Sequence, residues 1–119
     1  EVGGEITALL GDVHAEMHRL LSEYENGAPK SLEDIVEFHA RFEKIHPFQD
    51  GNGRVGRLIM FKECLRFGVV PFIIDESIKL LYYNGLKNWD SQHGYLVSTC
   101  QLAQGAFREM MGYFEITEV

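Results

Sequence analysis

A chain of 119 residues with 45% hydrophobic and 24% charged residues has the composition of a single soluble globular domain. Its 11 Lys and Arg against 18 Asp and Glu leave a formal net charge of −7, which argues against nucleic acid as a partner. No apolar run approaches the roughly 20 residues that a membrane span needs, and no basic-then-apolar leader opens the chain. We therefore expect neither a nucleic-acid partner nor a membrane partner.

Apolar residues recur at helical spacing along nearly the whole chain and predict an all-α bundle. The first helix carries its apolar stripe from Val13 to Tyr24. A second helix is expected to begin after Ser31, whose side chain can cap the backbone N–H of Asp34, and to run to Ile45.

A third helix is predicted from Arg54 to about Phe67, with Gly68 just after its end. Its apolar residues cover more than one side, which is typical of a central, buried helix. Residues 69–74 could pass for a strand, but Pro71 interrupts them and no second strand is available to pair with them. We therefore expect this segment to be a buried extended connector.

Two more helices follow in the sequence. The fourth is predicted from about Asp75 to Trp89, and the fifth carries apolar residues from Leu96 to Phe114 at spacings of three and four. No internal repeat and no long linker divides the chain.

Three reactive side chains are expected in the core. Cys64 and Cys100 fall within apolar helical patterns and show no disulfide or metal-site spacing, so they predict reduced thiols in a cytosolic protein. His39 lies on the apolar face of the second helix and is interpreted as a core histidine that supports the segment after it.

The segment between the second and third helices, residues 46–57, holds most of the chemically unusual residues. Gly51 and Gly53 allow a sharp turn and a close approach of the backbone to a ligand. The N–H groups at the start of the third helix point into this loop, where the helix dipole favours an anion. Arg54 and Arg57 share one helix face, so both guanidinium groups can bind the same polyanion.

Two other residues of the loop add reactive groups. Asp50 directly precedes the glycine-rich turn and is placed to hold a Mg²⁺ ion that also binds phosphate oxygens. His46 carries the only imidazole near the loop, and imidazole is the side chain most often used as a general base. Together these residues predict a nucleotide polyphosphate site with a base beside it.

The residues HPFQDGNGRVGR at positions 46–57 match the motif HPFx(D/E)GNGRxxR of the Fic domain family at every position, so the chain resembles that family. The resemblance covers roughly residues 2–116. It implies a single Fic-type domain core over residues 1–119, with the catalytic loop between two central helices. It also implies transfer of AMP from ATP to a Ser, Thr or Tyr hydroxyl of a target protein.

The first half of the motif supplies the base and the metal ligand by this resemblance. His46 would deprotonate the target hydroxyl, and Asp50 would ligate the Mg²⁺ that bridges the α- and β-phosphates. Phe48 resembles a buried aromatic residue that pins the loop to the core.

The second half of the motif is implied to hold the phosphates. Gly51, Asn52 and Gly53 would form the anion hole, with the Asn52 side chain on the α-phosphate, and Arg54 and Arg57 would hold the β- and γ-phosphates. Gly53 also separates the chain from a kinase-like toxin branch of the family, which has Lys at this position and transfers the γ-phosphate.

The resemblance reaches the fourth helix with less specificity. Tyr82 and Tyr83 resemble a tyrosine pair that lines the adenine pocket in many relatives. Asp90 stands where those relatives often have Asn, and relatives that transfer UMP or other groups share the motif, so the donor nucleotide stays open. Two other functions remain as alternatives: a catalytically silent, nucleotide-sensing interaction module, and a hydrolase that removes AMP from a modified protein.

Two features of relatives are expected to lie outside this chain. Of the target-docking flap that relatives have before the first helix, only Glu1 to about Thr7 would remain, and residues 1–4 resemble its trailing part. The upstream part of the flap and the N-terminal helices would be missing. Glu25 and Asn26 match the end of an inhibitory helix pattern, but Leu21 occupies its Ser/Thr position. Inhibition would then come from upstream or from a separate antitoxin, and the resemblance favours a bacterial cytosol.

Overall fold

The computed structural model describes residues 10–48 and 50–113, which form five α-helices and one 3-10 helix. The α-helices are α1 (Leu10–Tyr24), α2 (Leu32–Ile45), α3 (Asn52–Arg66), α4 (Lys79–Lys87) and α5 (His93–Tyr113), and the 3-10 helix is Glu76–Ile78. No strand occurs among these residues, and the predicted all-α class is confirmed. The predicted flap remnant at Glu1 to Thr7 and the expected helical residue Phe114 lie outside them.

The chain divides into two compact units, Glu1–Met60 and Phe61–Val119. The first contains α1, α2 and the first part of α3, and the second contains the rest of α3 with α4 and α5. Within the described residues, every helix is too short or too polar to cross a bilayer.

The first unit is held together by apolar contacts between α1 and α2. Its buried core consists of Leu20, Phe38, Phe42 and Ile45. The partly buried hydrophobic residues packed against it come from α1 and α3: Val13, Met17, Tyr24, Val55 and Ile59. Each large apolar side chain buried here stabilises the fold by about 1.5–3 kcal/mol, whereas an exposed ion pair such as Arg41–Glu23, at 2.9 Å, contributes about 0–1 kcal/mol.

The start of α2 follows the sequence prediction closely. Ser31 adopts extended backbone angles, its hydroxyl oxygen accepts a hydrogen bond from the N–H of Asp34 at 3.2 Å, and its own N–H donates to Asp34 Oδ2 at 2.9 Å. This capping box satisfies helix N–H groups that would otherwise lack partners. The hydrogen bond from the Ser31 backbone holds the pKa of Asp34 below its ordinary value.

The ends of α3 differ slightly from the prediction. The helix begins at Asn52 rather than at Arg54, because residues 52 and 53 already have helical geometry. At the other end Gly68 has φ +69°, and the N–H of Val69 donates to the carbonyl of Cys64 at 2.9 Å. The predicted glycine after the helix is therefore confirmed.

The prediction that α3 is buried on more than one side is wrong. Leu58 and Leu65 are 70% and 60% exposed, while Met60 and Cys64 are buried. An apolar residue type favours burial but does not enforce it, because much of the surface of any folded protein is apolar.

The predicted fourth helix is shorter than expected and begins with a different helix type. Asp75 caps the 3-10 helix by accepting a hydrogen bond from the N–H of Ser77 at 2.9 Å, and α4 then runs only from Lys79 to Lys87. The hydroxyl of Ser77 also donates to Asp75, and this bond holds the pKa of Asp75 below its ordinary value. Such local side-chain bonds compete with regular helix formation, which explains why α4 does not begin at Asp75. At its other end α4 stops at Lys87, before Trp89.

The connector at residues 69–74 contains no strand, as predicted, but it is only partly buried. Phe72 is 4% exposed and Ile73 is 58% exposed. Gln104 on α5 donates from Nε2 to the carbonyl of Val70 at 2.8 Å and so satisfies one backbone acceptor of this irregular segment.

The predicted burial of the two cysteines in the core is confirmed in the second unit. Cys64 and Cys100 are both free and buried. Burial raises the pKa of Cys64 to about 11 and that of Cys100 to about 12, so both thiols stay protonated at neutral pH. Protonated, buried thiols are inert packing groups rather than nucleophiles.

Candidate active site

The loop opens at His46, which ends α2 in the left-handed backbone conformation, with φ 56° and ψ 59°. Its N–H donates to the carbonyl of Phe42 at 3.1 Å and so closes the last turn of the helix. Among the described residues it is the only non-glycine with a positive φ. This conformation costs a residue with a side chain about 1–2 kcal/mol, and such residues concentrate at functional sites.

Asn52 closes the loop at the other end. Its Oδ1 accepts a hydrogen bond from the N–H of Phe48 at 2.8 Å, and its Nδ2 donates to the carbonyl of Phe48 at 2.6 Å. We call this pair of bonds the Asn52–Phe48 clamp. The sequence did not predict this structural role, and the expected contact of the Asn52 side chain with an α-phosphate stays a prediction.

The expected burial of the Phe48 ring is wrong. The residue is 49% exposed, and its ring centroid lies 6.3 Å from that of Phe42 at the edge of the core. The backbone of Phe48, held on both sides by the clamp, ties the loop down instead of the ring.

Both arginines of the motif fold back along α3 toward its N-terminus. Gly51 has φ +79°, and Arg54 Nη2 lies 4.0 Å from the position that a Cβ atom on Gly51 would occupy. Arg57 Nη1 lies 2.9 Å from the position that a Cβ atom on Gly53 would occupy. Two guanidinium groups therefore flank the same short turn whose helix N–H groups favour an anion.

A group of polar residues supports α3 from the side of α2. His39 is 1% exposed and makes a hydrogen bond to the backbone of Gly56. Burial lowers the pKa of His39 to about 4, and the nearby charge of Arg57 acts in the same direction, so the imidazole is neutral at pH 7. The interpretation of His39 as a core histidine is confirmed.

Glu43 and Gly56 belong to this group and were missed in the sequence. A side chain on Gly56 would collide with Glu43 Oε2 and would lie 3.1 Å from His39 Cε1. Burial raises the pKa of Glu43, and the positive charge of Arg57 opposes this change. One signal was available: positions 39, 43 and 46 follow one another at helical spacing on the face that leads to the loop.

Asp50 is exposed at the turn, next to Gly51. Within the described residues, no three His, Cys, Asp or Glu side chains come together as a metal site. A lone carboxylate still fits Mg²⁺, because this ion takes most of its ligands from phosphates and water when it is bound with a nucleotide.

The two tyrosines of the predicted adenine pocket lie on α4, in the second unit. Tyr82 is 1% exposed, whereas Tyr83 is 49% exposed, and their ring centroids are 5.3 Å apart. Of the pair, only Tyr83 is therefore accessible to solvent.

Comparison with known proteins points to one family. The family model of the Fic/DOC family matches residues 4–64, a range that contains the whole loop and excludes Tyr82 and Tyr83. The chain is 37% identical over 91 residues to Protein adenylyltransferase Fic of Drosophila willistoni. It is 36% identical over 89 residues to the protein of the same name from Drosophila mojavensis, and 37% over 90 residues to that of Drosophila melanogaster.

These matches cover 72% of this chain but only 18% of each relative. The chain therefore spans a small part of the length of the relatives it matches. All three are insect proteins, so the expected bacterial setting depends on the motif resemblance alone.

Proposed function

Because the chain belongs to the Fic/DOC family, we propose that it acts as a protein adenylyltransferase that moves AMP from Mg-ATP to a Ser, Thr or Tyr hydroxyl of a target protein. One observation carries the proposal: Arg54 and Arg57 fold back over Gly51 and Gly53, at the far end of the loop that His46 opens. The name of the relatives, Protein adenylyltransferase Fic, supports the same reaction.

His46 is the proposed general base of this reaction. It accepts the proton of the target hydroxyl as that oxygen forms a bond to the α-phosphorus of ATP. The bond from the α-phosphorus to the oxygen that bridges to the β-phosphate breaks, and pyrophosphate leaves. The left-handed backbone of His46 fixes where its imidazole begins, which reduces the freedom that must be lost before the reaction.

The other loop residues bind and orient the nucleotide in this proposal. Arg54 and Arg57 hold the β- and γ-phosphates and neutralise the charge of the leaving pyrophosphate. The turn from Gly51 to Gly53 presents backbone N–H groups to the α-phosphate, with the Asn52 amide beside it. Asp50 would hold Mg²⁺, which when bound supplies charge neutralisation between the phosphates.

The partners and the setting are part of the same proposal. Tyr83 is the residue of its pair that can stack on a nucleobase, with Tyr82 packed behind it. The protein substrate binds through segments outside the described residues, and control comes from an inhibitory helix or an antitoxin. A cytosolic setting agrees with the two free, buried thiols.

The deciding experiment incubates the protein and cell lysate with Mg-ATP labelled at either the α- or the γ-phosphate. We expect label from the α-phosphate only, and a loss of roughly 10²–10⁴-fold in transfer rate for His46→Ala, as for removal of a general base. Mg-ATP binding should persist in that variant. His18→Ala, which removes an exposed histidine on α1, is the matched control and should transfer AMP normally.

Each other outcome contradicts the proposal in a different way. Label from the γ-phosphate would indicate a kinase-like reaction despite Gly53. Release of AMP from an already modified protein, without transfer, would favour the hydrolase. Tight Mg-ATP binding with neither reaction would favour the nucleotide-sensing module.

A further inference from the structure

Glu43 is a carboxylate in a place where a charge is costly. Its Oε2 is buried and has no hydrogen-bond partner among the described residues. It lies against Gly56, where even one methyl group would collide with it. A buried carboxylate oxygen without a hydrogen bond costs free energy unless a positive charge compensates it.

Arg57 is the positive charge that acts on Glu43. Its field favours the ionised form of the carboxyl and so opposes the effect of burial. Arg57 directly follows Gly56 on α3, and its guanidinium lies over Gly53, one turn toward the loop. Positions 53 and 56 are three residues apart and therefore share one face of α3, so the carboxylate against Gly56 and the guanidinium over Gly53 lie on the same side of this helix.

We propose that Glu43 is a positioning residue that holds the Arg57 guanidinium over Gly53, ready for the terminal phosphates of the nucleotide. This inference rests on the proposed function, because it assigns phosphate binding to Arg57. The absence of a side chain at Gly56 lets the carboxylate approach α3 closely enough to do this. His39 packs beside it on the same face of α2 and fixes the spacing between the two helices through its bond to Gly56.

The test is a double-variant cycle on nucleotide affinity, measured by calorimetry with Mg-ATP on the purified protein. Glu43→Gln removes the charge and keeps the shape of the side chain, and Arg57→Gln removes its partner. We expect Glu43→Gln to raise the Kd for Mg-ATP roughly tenfold, a coupling typical of residues in one network. In the Arg57→Gln background the same change should have no further effect.

AMP separates positioning from a general weakening of the fold. It lacks the terminal phosphates assigned to Arg57, so Glu43→Gln should leave its Kd unchanged, whereas a damaged fold would weaken AMP and ATP binding alike. Glu33→Gln, an exposed residue in the first turn of α2, is the matched charge control and should leave both Kd values unchanged.

Three results would overturn the inference. If the double variant raised the Kd for Mg-ATP by the product of the two single effects, Glu43 would act independently of Arg57. Tighter Mg-ATP binding by Glu43→Gln would mean that the carboxylate competes with the phosphates for the guanidinium. Equal losses for AMP and ATP would mean a purely structural role. Failure of the wild-type protein to bind Mg-ATP would instead refute the proposed function itself.

Discussion

Replacing His39 with Gln should remove much of the acid sensitivity of the fold. Burial lowers the pKa of His39 from 6.5 to about 4 in the folded protein. Between these two values the unfolded chain binds a proton at this residue and the folded chain does not. The free energy of unfolding must therefore fall as the pH falls through this interval.

The size of the effect follows from the same two values. One titrating group changes the free energy of unfolding by about 1.4 kcal/mol per pH unit while only one of the two states is protonated. From pH 6.5 down to about 4 the loss attributable to His39 amounts to about 3 kcal/mol. Above pH 6.5 this contribution is fully present. Since a domain is stable by only about 5–15 kcal/mol in total, the loss is readily measured.

Urea unfolding followed by circular dichroism, from about pH 7.5 to about pH 5, measures the part of this loss that falls above pH 5, which is about 2 kcal/mol. Gln does not titrate, and its amide can still donate to the Gly56 backbone, so His39→Gln should show a flatter pH profile than the wild type. Glu43, whose raised pKa acts in the opposite direction at lower pH, is present in both proteins and largely cancels in the difference. His18→Gln is the control for an exposed histidine. Identical slopes for His39→Gln and the wild type would refute the reasoning.

Two glycine pairs give further tests. Gly85→Ala would place a methyl group 2.9 Å from Leu96 Cα, so α4 and α5 must separate and stability should fall by about 1–3 kcal/mol. At Gly105 an added methyl group meets nothing within 4 Å, so Gly105→Ala should raise stability by about 0.5–1 kcal/mol. Equal changes of the unfolding temperature for the two variants would contradict the close packing of Gly85 against Leu96. Gly51 and Gly27 have φ +79° and +89°, so Ala at either should cost about 1 kcal/mol. Only Gly51→Ala should also weaken Mg-ATP binding in calorimetry, and an equal loss at Gly27 would argue against the loop as the nucleotide site.

Features that depend on a few neighbouring residues were predictable from the sequence. The start of α2 depends on Ser31 and Asp34, which are three residues apart, and the glycine after α3 depends on one backbone angle. The loop could be located because its residue types are unusual in combination. The late start of α4, after a 3-10 helix that Asp75 caps, was missed, because apolar spacing alone does not reveal the competing bond between Asp75 and Ser77.

Features that depend on contact between helices were not predictable in the same way. The fit of Glu43 against Gly56 joins α2 to α3, and nothing in either segment alone requires it. The exposure of Leu58 and Leu65 is likewise set by what lies opposite them, which a residue's type does not specify. The two hydrogen bonds between the Asn52 side chain and the Phe48 backbone were not predicted either, although a short amide can satisfy a backbone across a tight turn.

The Asn52–Phe48 clamp also limits how this loop can change in evolution or in the laboratory. Its two hydrogen bonds join the Asn52 side chain to the Phe48 backbone, so they close a ring of covalent and hydrogen bonds. The size of this ring is set by the number of residues between Phe48 and Asn52. Substitution at a position inside the ring alters a side chain and leaves the ring closed. Insertion or deletion of even one residue opens it, and the helix that carries both arginines would then start at a different distance from His46. Variation in this loop is therefore restricted in length, and at Gly51 its positive φ restricts the residue type as well.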